Sequence, residues 1–302
     1  MSGAGVDRRA VDGVLLLDKP SGITSHTAMQ KVRRLFNAIK AGHTGTLDPL
    51  ATGLLPICLG EATKFSHLLL EADKTYLATI RLDLTTNTGD LDGVTTARFP
   101  VNVSLGKALE TLKDFVGETQ QTPPMYSALK HAGQPLYKLA RAGREVPRIP
   151  RRILIRELDL VDLSGNELTV RVSCSKGTYV RVLAEDIGRK LGCGGCLAAL
   201  RREAVGGFAL TSEVVALDQL ELLTPAQRDG LLLPADALVK SLPRFDLDAR
   251  ETRRLSQGQP VDRTGANTEG LARIYGPDRE FLGIAEVTGP GHIVPKRLTA
   301  RG

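Results

Sequence analysis

GHTGTLDPLATG, residues 42–53, decides how this chain is read. Asp48 stands between Leu47 and the pair Pro49-Leu50, a charge among groups that prefer burial. Proline fixes its own φ and removes a donor, so the carboxylate is held on a stiff turn. Asp-Pro pairs initiate turns, and a plain turn cap is one reading of the segment. A phosphate loop is not, because GxxxxGK[ST] is absent, as is GxGxxG. Asp48 has no clustered histidine or carboxylate partner in its own segment, which leaves a metal site unsupported.

The whole chain narrows the classes further. Its 302 residues suffice for a well-buried core and two domains. No apolar run is long enough to span a membrane, and MSGAGVDRRA lacks the apolar core of a signal peptide, so a cytoplasmic protein is expected. The net charge of +6 decides little, but its distribution is informative. Lys130, Lys138, Arg141, Arg144, Arg148, Arg151, Arg152 and Arg156 face one acid, Glu145. Such a run is often just a solvated face. Here prolines, glycines, Tyr126 and Tyr137 accompany it, which suits a loop gripping phosphates and bases. Cys193-Gly-Gly-Cys196 has the spacing of half a zinc site, yet no second Cys/His pair completes it. The expectation is surface thiols and no metal.

Periodicity supplies the elements. GVLLLDKP (13–20) reads as a strand, and Thr24 or Ser25 caps a helix carrying Met29, Val32, Leu35 and Phe36. LLPICLG (54–60) reads as a buried strand, EATKFSHLLL (61–70) as a helix and KTYLATIRLDLTT (74–86) as one long alternating strand. NTGDLDG (87–93) is dense in turn formers. VSLGKALETLKDFVG (103–117) and TYVRVLAEDIGRKLG (178–192) read as helices closed by glycine. ILIRELDLVDL and ELTVRVSCS flank an SGN turn as a hairpin, and 197–210 is extended. Helices and strands mix without a strict βαβ rhythm, so the fold class is α+β with a central mixed, mostly antiparallel sheet flanked by helices. Past Leu242-Pro243 the strand-like runs of 270–287 and GHIVPKRL suggest a small β-rich domain.

HTGTLDPLATG (43–53) resembles the signature loop of the TruB family of tRNA pseudouridine synthases. GVLLLDKPSGITSH, KTYLATIRLDLTTNTGDLDG, PPMYSALKHAGQPLYKLARAG, SKGTYVRVLAEDIGRKLG and LAALRREAVGGF resemble further family segments, in the family's order, across most of residues 13–208. Other pseudouridine synthase families carry an R-L-D core, whereas this loop reads T-L-D-P and is similar to the bacterial stand-alone form.

The resemblance implies a pseudouridine synthase fold over residues 1–243, with an RNA-gripping insertion near 123–152 and a PUA-like RNA-binding domain at 244–302. It implies isomerisation of uridine to pseudouridine at position 55 in the T-loop of tRNA, by base flipping, with no cofactor, metal or protein partner, by a monomer. Asp48 matches the nucleophile, Arg181 the arginine that pairs with it, and Tyr76 the tyrosine against the target base that helps remove the C5 proton. His43 matches the residue inserted beside the departing base. Tyr179 and the backbone of Leu200 match contacts to the flipped uracil. Lys130, Arg141 and Arg144 are the expected phosphate contacts. The rival readings are a non-catalytic RNA-binding or RNA-folding protein on this scaffold and an aspartate-nucleophile hydrolase. The first would lose Asp48 or Arg181, and the second would want another acid or base near the loop.

Overall fold

The computed structural model describes residues 8–263, 269–289 and 291–300. The alternation of apolar and polar residues over Lys74–Leu82, Glu167–Cys174 and Gly195–Val205 makes each a strand, and the structure pairs them. The fold is α+β. The chain forms two compact units: Met1–Asp48, Leu55–Leu70 and Leu210–Gly302 in one, Pro49–Leu54 and Glu71–Ala209 in the other.

In the second unit the sheet runs from the start of Thr52–Leu59 through Gly195–Val205, Lys74–Leu82, Glu167–Cys174 and Arg151–Ser164 to Gly117–Gln121. Only the first pairing is parallel. Ala78, Ile80, Val170, Val172 and Leu197 are buried along it. Helix Val180–Leu191 buries Val180, Leu183, Ala184, Ile187 and Leu191, the helical spacing of an amphipathic face, and stops at Gly192 with φ 82°.

The CGGC segment owes its glycines to packing. A Cβ on Gly188 of the helix would lie 2.4 Å from the Gly194 backbone, and one on Gly194 would meet the Phe99 ring at 2.7 Å. Helix and strand approach too closely there for any side chain. Cys193 and Cys196 are buried, as are Cys58 and Cys174. This corrects the expectation of surface thiols: the strand that carries Cys196 starts inside the core, and burial pushes that thiol up to about 11.

The alternating run 74–86 is two strands, Lys74–Leu82 and Leu84–Thr86, broken at Asp83 with φ 93°. The Asp83 carboxylate sits 2.6 Å from Arg81 Nε and 3.1 Å from Arg98 Nη1, which holds the break in place. Likewise 61–70 is a 3-10 turn, Gly60–Lys64, followed by a short helix, Ser66–Leu70. The Thr63 and Ser66 hydroxyls donate to carbonyls three residues back, which competes with the α-helical ladder.

In the first unit the strand Gly13–Lys19 lies parallel to Val215–Ala216. Helix Ser25–Leu35 is capped by Thr24, whose hydroxyl accepts from Thr27 N. Ala41–His43 pairs antiparallel with Ile57–Leu59, so the glycine-rich stretch is a loop only from Thr44 onward. Arg244–Asp246, Gly270–Tyr275, Phe281–Thr288, His292–Leu298 and Val261–Asp262 form a five-stranded sheet in that order. Its core gathers Leu247, Leu255, Ile274, Leu282 and Ile293. The Phe281 ring meets fully buried Phe65 edge-on at 5.2 Å. Among the described residues no helix is long and apolar enough to cross a membrane.

Candidate active site

Asp48 ends the first unit's opening segment, and its presentation starts with buried polar groups upstream. Fully buried Lys19 donates to the carbonyls of Pro20 (2.8 Å) and Ile23 (2.7 Å) and so closes the turn before the Ser25 helix. Ser25, 1% exposed, then clamps the residue before the aspartate. Its hydroxyl accepts from Leu47 N at 2.8 Å and donates to Leu47 O at 3.1 Å. Leu47 is buried while Asp48 is half-buried. His43 ends the strand five residues earlier, paired with Ile57. The turn is therefore anchored at the strand and at Leu47.

Tyr76, Tyr179, Arg181 and Leu200 lie in the second unit. Tyr76 pairs with Val172 on one side and Arg202 on the other, and Leu200 faces Ala78. Directly opposed residues project to the same side of a sheet, which places Tyr76 and Leu200 on one face. Tyr179 caps the N-terminus of the Val180–Leu191 helix. Buried Gln121 clamps it as Ser25 clamps Leu47: Tyr179 N donates to Oε1 at 2.7 Å and Nε2 donates to Tyr179 O at 3.1 Å.

Arg181 is 5% exposed in the first turn of that helix, where the dipole disfavours a cation. Its guanidinium is held instead by carbonyls, Nη1 to Thr88 O at 2.9 Å and Nη2 to Tyr126 O at 2.7 Å. Buried Asp90 places a carboxylate oxygen 3.7 Å from Nε. Thr88 and Asp90 belong to NTGDLDG, a stretch of turn formers at the end of a family-like segment, and Tyr126 lies in the insertion. An open cavity of about 530 Å³ adjoins this cluster, lined by Thr88, Gln121, Tyr126, Arg148, Glu185 and Arg189. Burial, then Asp186, raises the Glu185 carboxyl above its ordinary value.

The insertion holds a small hairpin, Lys130–His131 with Gln134–Pro135, and helix Leu136–Arg141, anchored by buried Leu136 and Leu139. Arg148, Arg152 and Arg156 are matched by Glu145, Glu118 and Asp73. Lys130, Arg141 and Arg144 are exposed, and among the described residues none of them makes a salt bridge; Arg141 lies over the Tyr137 ring at 5.7 Å. Unneutralised cations beside an aromatic are what phosphates and bases require.

Three family models match the chain. Residues 33–180 match the TruB family pseudouridylate synthase N-terminal domain. Residues 181–240 match the tRNA pseudouridylate synthase B C-terminal domain. Residues 243–299 match the C-terminal model of pseudouridine synthase II TruB. The tRNA pseudouridine synthase B of Aromatoleum aromaticum is 55% identical over 97% of this chain and 94% of its own length. That of Dechloromonas aromatica is 54% identical over 96% of each. Among solved structures, a chain of a Cbf5-Nop10-Gar1 complex superposes with a TM-score of 0.71 at 25% identity, covering 94% of this chain and 84% of that one.

Proposed function

The chain belongs to the TruB family of pseudouridylate synthases, and on that premise we propose that it converts uridine 55 in the T-loop of tRNA to pseudouridine by flipping the base and attacking with Asp48. The coarser activity, isomerisation of uridine in tRNA, follows from relatives that match nearly its whole length. The reading rests chiefly on the Leu47–Ser25 clamp. A turn that only connected two strands would not need a buried hydroxyl bonding both backbone groups of the residue before its carboxylate.

A carboxylate is ionised at neutral pH, but excluding water around it favours protonation unless an opposite charge offsets the loss. Arg181 is the proposed source of that charge. It is fixed before RNA arrives, so no reorganisation is needed at the moment of reaction. His43, at the head of the turn, fills the space of the departing base, whose extrusion costs a few kcal/mol. Tyr76, Tyr179 and the Leu200 backbone receive the flipped uracil. Lys130, Arg141 and Arg144 hold phosphates of the T-arm, and residues 244–302 bind the tRNA away from the target loop. The carboxylate supplies the chemistry, so no cofactor or metal is required and activity is expected to survive EDTA.

The test is incubation with unmodified tRNA and mapping of pseudouridine. One new pseudouridine at position 55 is expected. The Asp48→Asn variant keeps size and loses charge, so it should form none while binding tRNA within roughly tenfold, about 1.4 kcal/mol. Turnover by that variant near the wild-type rate would remove Asp48 as the nucleophile.

A further inference from the structure

Arg202 is the largest fully buried side chain of the protein among the described residues, 1% exposed, on the strand Gly195–Val205. Its Nε donates to Leu54 O at 2.7 Å, and its Nη2 is buried without a hydrogen-bond partner among the described residues. No carboxylate among them forms a salt bridge with it; its charge interacts instead with the Tyr76 side chain. Tyr76 lies directly opposite in the sheet, and a bulge follows Arg202 at once, a device that re-aims a side chain. A second buried cation, Lys74, stands two residues before Tyr76 on the same face and interacts with Arg202 electrostatically. Cys174, opposite Lys74 in the sheet, and Asp73 and Glu71 act on Lys74 electrostatically as well. A buried cation with an unpaired donor and no carboxylate destabilises a fold, and a methionine of similar length would pack as well. Its presence beside one phenol calls for a use.

We propose that Arg202 is a positioning residue for the Tyr76 hydroxyl: its buried guanidinium, backed by Lys74, holds the phenol oxygen in place and stabilises it as the phenolate that takes the C5 proton. The proposal rests on the reading of Tyr76 as the residue facing the target base. Before substrate binds, the phenol gives its proton to solvent, and the guanidinium opposite it in the sheet favours the phenolate that remains. Once the sugar is joined to C5, that carbon carries both its hydrogen and C1′. The Tyr76 oxygen takes the hydrogen as a proton, and the C–H electron pair becomes the C5=C6 bond. The pair in C6=N1 returns to N1, which is protonated. Phenol and pseudouridine result, with no redox change.

Single-turnover rates on tRNA at saturating enzyme, measured from pH 6 to pH 10, test this in wild type, Arg202→Lys and Arg202→Met. Arg202→Met should be ten- to a hundredfold slower at pH 7, recover toward wild type as pH rises and ionises the phenol, and bind tRNA as before. Arg202→Lys should exceed Arg202→Met by at least tenfold at pH 7. Difluorotyrosine at position 76, which ionises at lower pH, should rescue Arg202→Met and move the rising limb of the Arg202 protein to lower pH. That last arm needs no change at Arg202, so misfolding of the variants does not hide the answer. An equal loss at every pH, with no response to difluorotyrosine, would make Arg202 a core residue only and overturn the proposal. A wild-type protein that forms no pseudouridine would instead overturn the reading on which it stands.

Discussion

Two side chains decide how the reacting groups are presented, and neither is a reacting group. Ser25 and Gln121 each bond both backbone groups of one residue, Leu47 and Tyr179. Removing the Ser25 hydroxyl leaves a buried N–H and C=O unpaired, each costing about 1–3 kcal/mol. Ser25→Ala should therefore lower thermal stability, and it should lower kcat more than it raises KM, since Asp48 is displaced while RNA contacts persist. Steady-state kinetics beside a melting curve checks this. A variant that melts lower yet keeps its kcat would show that the turn holds itself.

At the scale of the element, the helix Val180–Leu191 joins site and scaffold. Its inner face packs the sheet, its first turn carries Arg181, and its outer edge presents Glu185 to the open cavity. Burial raises the Glu185 carboxyl above its ordinary 4.5, so between the two values the folded protein binds more protons than the unfolded chain. Stability from this group is thus greatest in acid and falls as pH climbs through that window. Glu185→Gln should melt above wild type at pH 8, with the difference shrinking toward pH 4, where the acid is neutral too. Parallel melting curves across pH would mean the carboxylate is well solvated.

The insertion is an element of another kind, two buried leucines carrying unpaired cations. If Lys130, Arg141 and Arg144 bind phosphates, the slope of log K against log salt should flatten by about 0.7–0.9 per contact. A triple alanine variant should then lose about two to three units, with single-turnover rates at saturating tRNA little changed. Binding titrations at several salt concentrations decide it. Parallel lines would return these charges to a solvated face.

Across the whole molecule, the C-terminal sheet has its own core and yet shares a unit with the first strand and helix. Phe281 covers Phe65, Lys64 Nζ reaches Leu298 O at 2.9 Å, and the Tyr275 hydroxyl donates to Asp236. Truncation after Leu242 should raise KM for tRNA more than it lowers kcat, and it should also lower Tm, because Phe65 loses its cover. Unchanged melting with raised KM would mark the segment as a pure RNA-binding appendage; a reduced kcat alone would tie it to the chemistry.

Local pattern by itself determined the strands, the amphipathic helices, the glycine stop of Val180–Leu191 and the stiff turn around Asp48, because each is written in residues a few positions apart. The family loop and its companion segments were legible for the same reason. Asp83 was not, since a break in an alternating strand depends on two arginines closing on it. Nor were the partners of Asp90 and Arg202, one in a stretch of turn formers and the other in an extended stretch, until the fold brings them to Arg181 and Tyr76. The partners involved lie 22 residues apart for Ser25 and Leu47, 58 for Gln121 and Tyr179, and 148 for Arg202 and Leu54. CGGC was misread because its glycines answer to a helix packed on them. Only tertiary structure decides such contacts: a buried polar group must find its partner wherever the fold has placed one, and no local spacing encodes that distance.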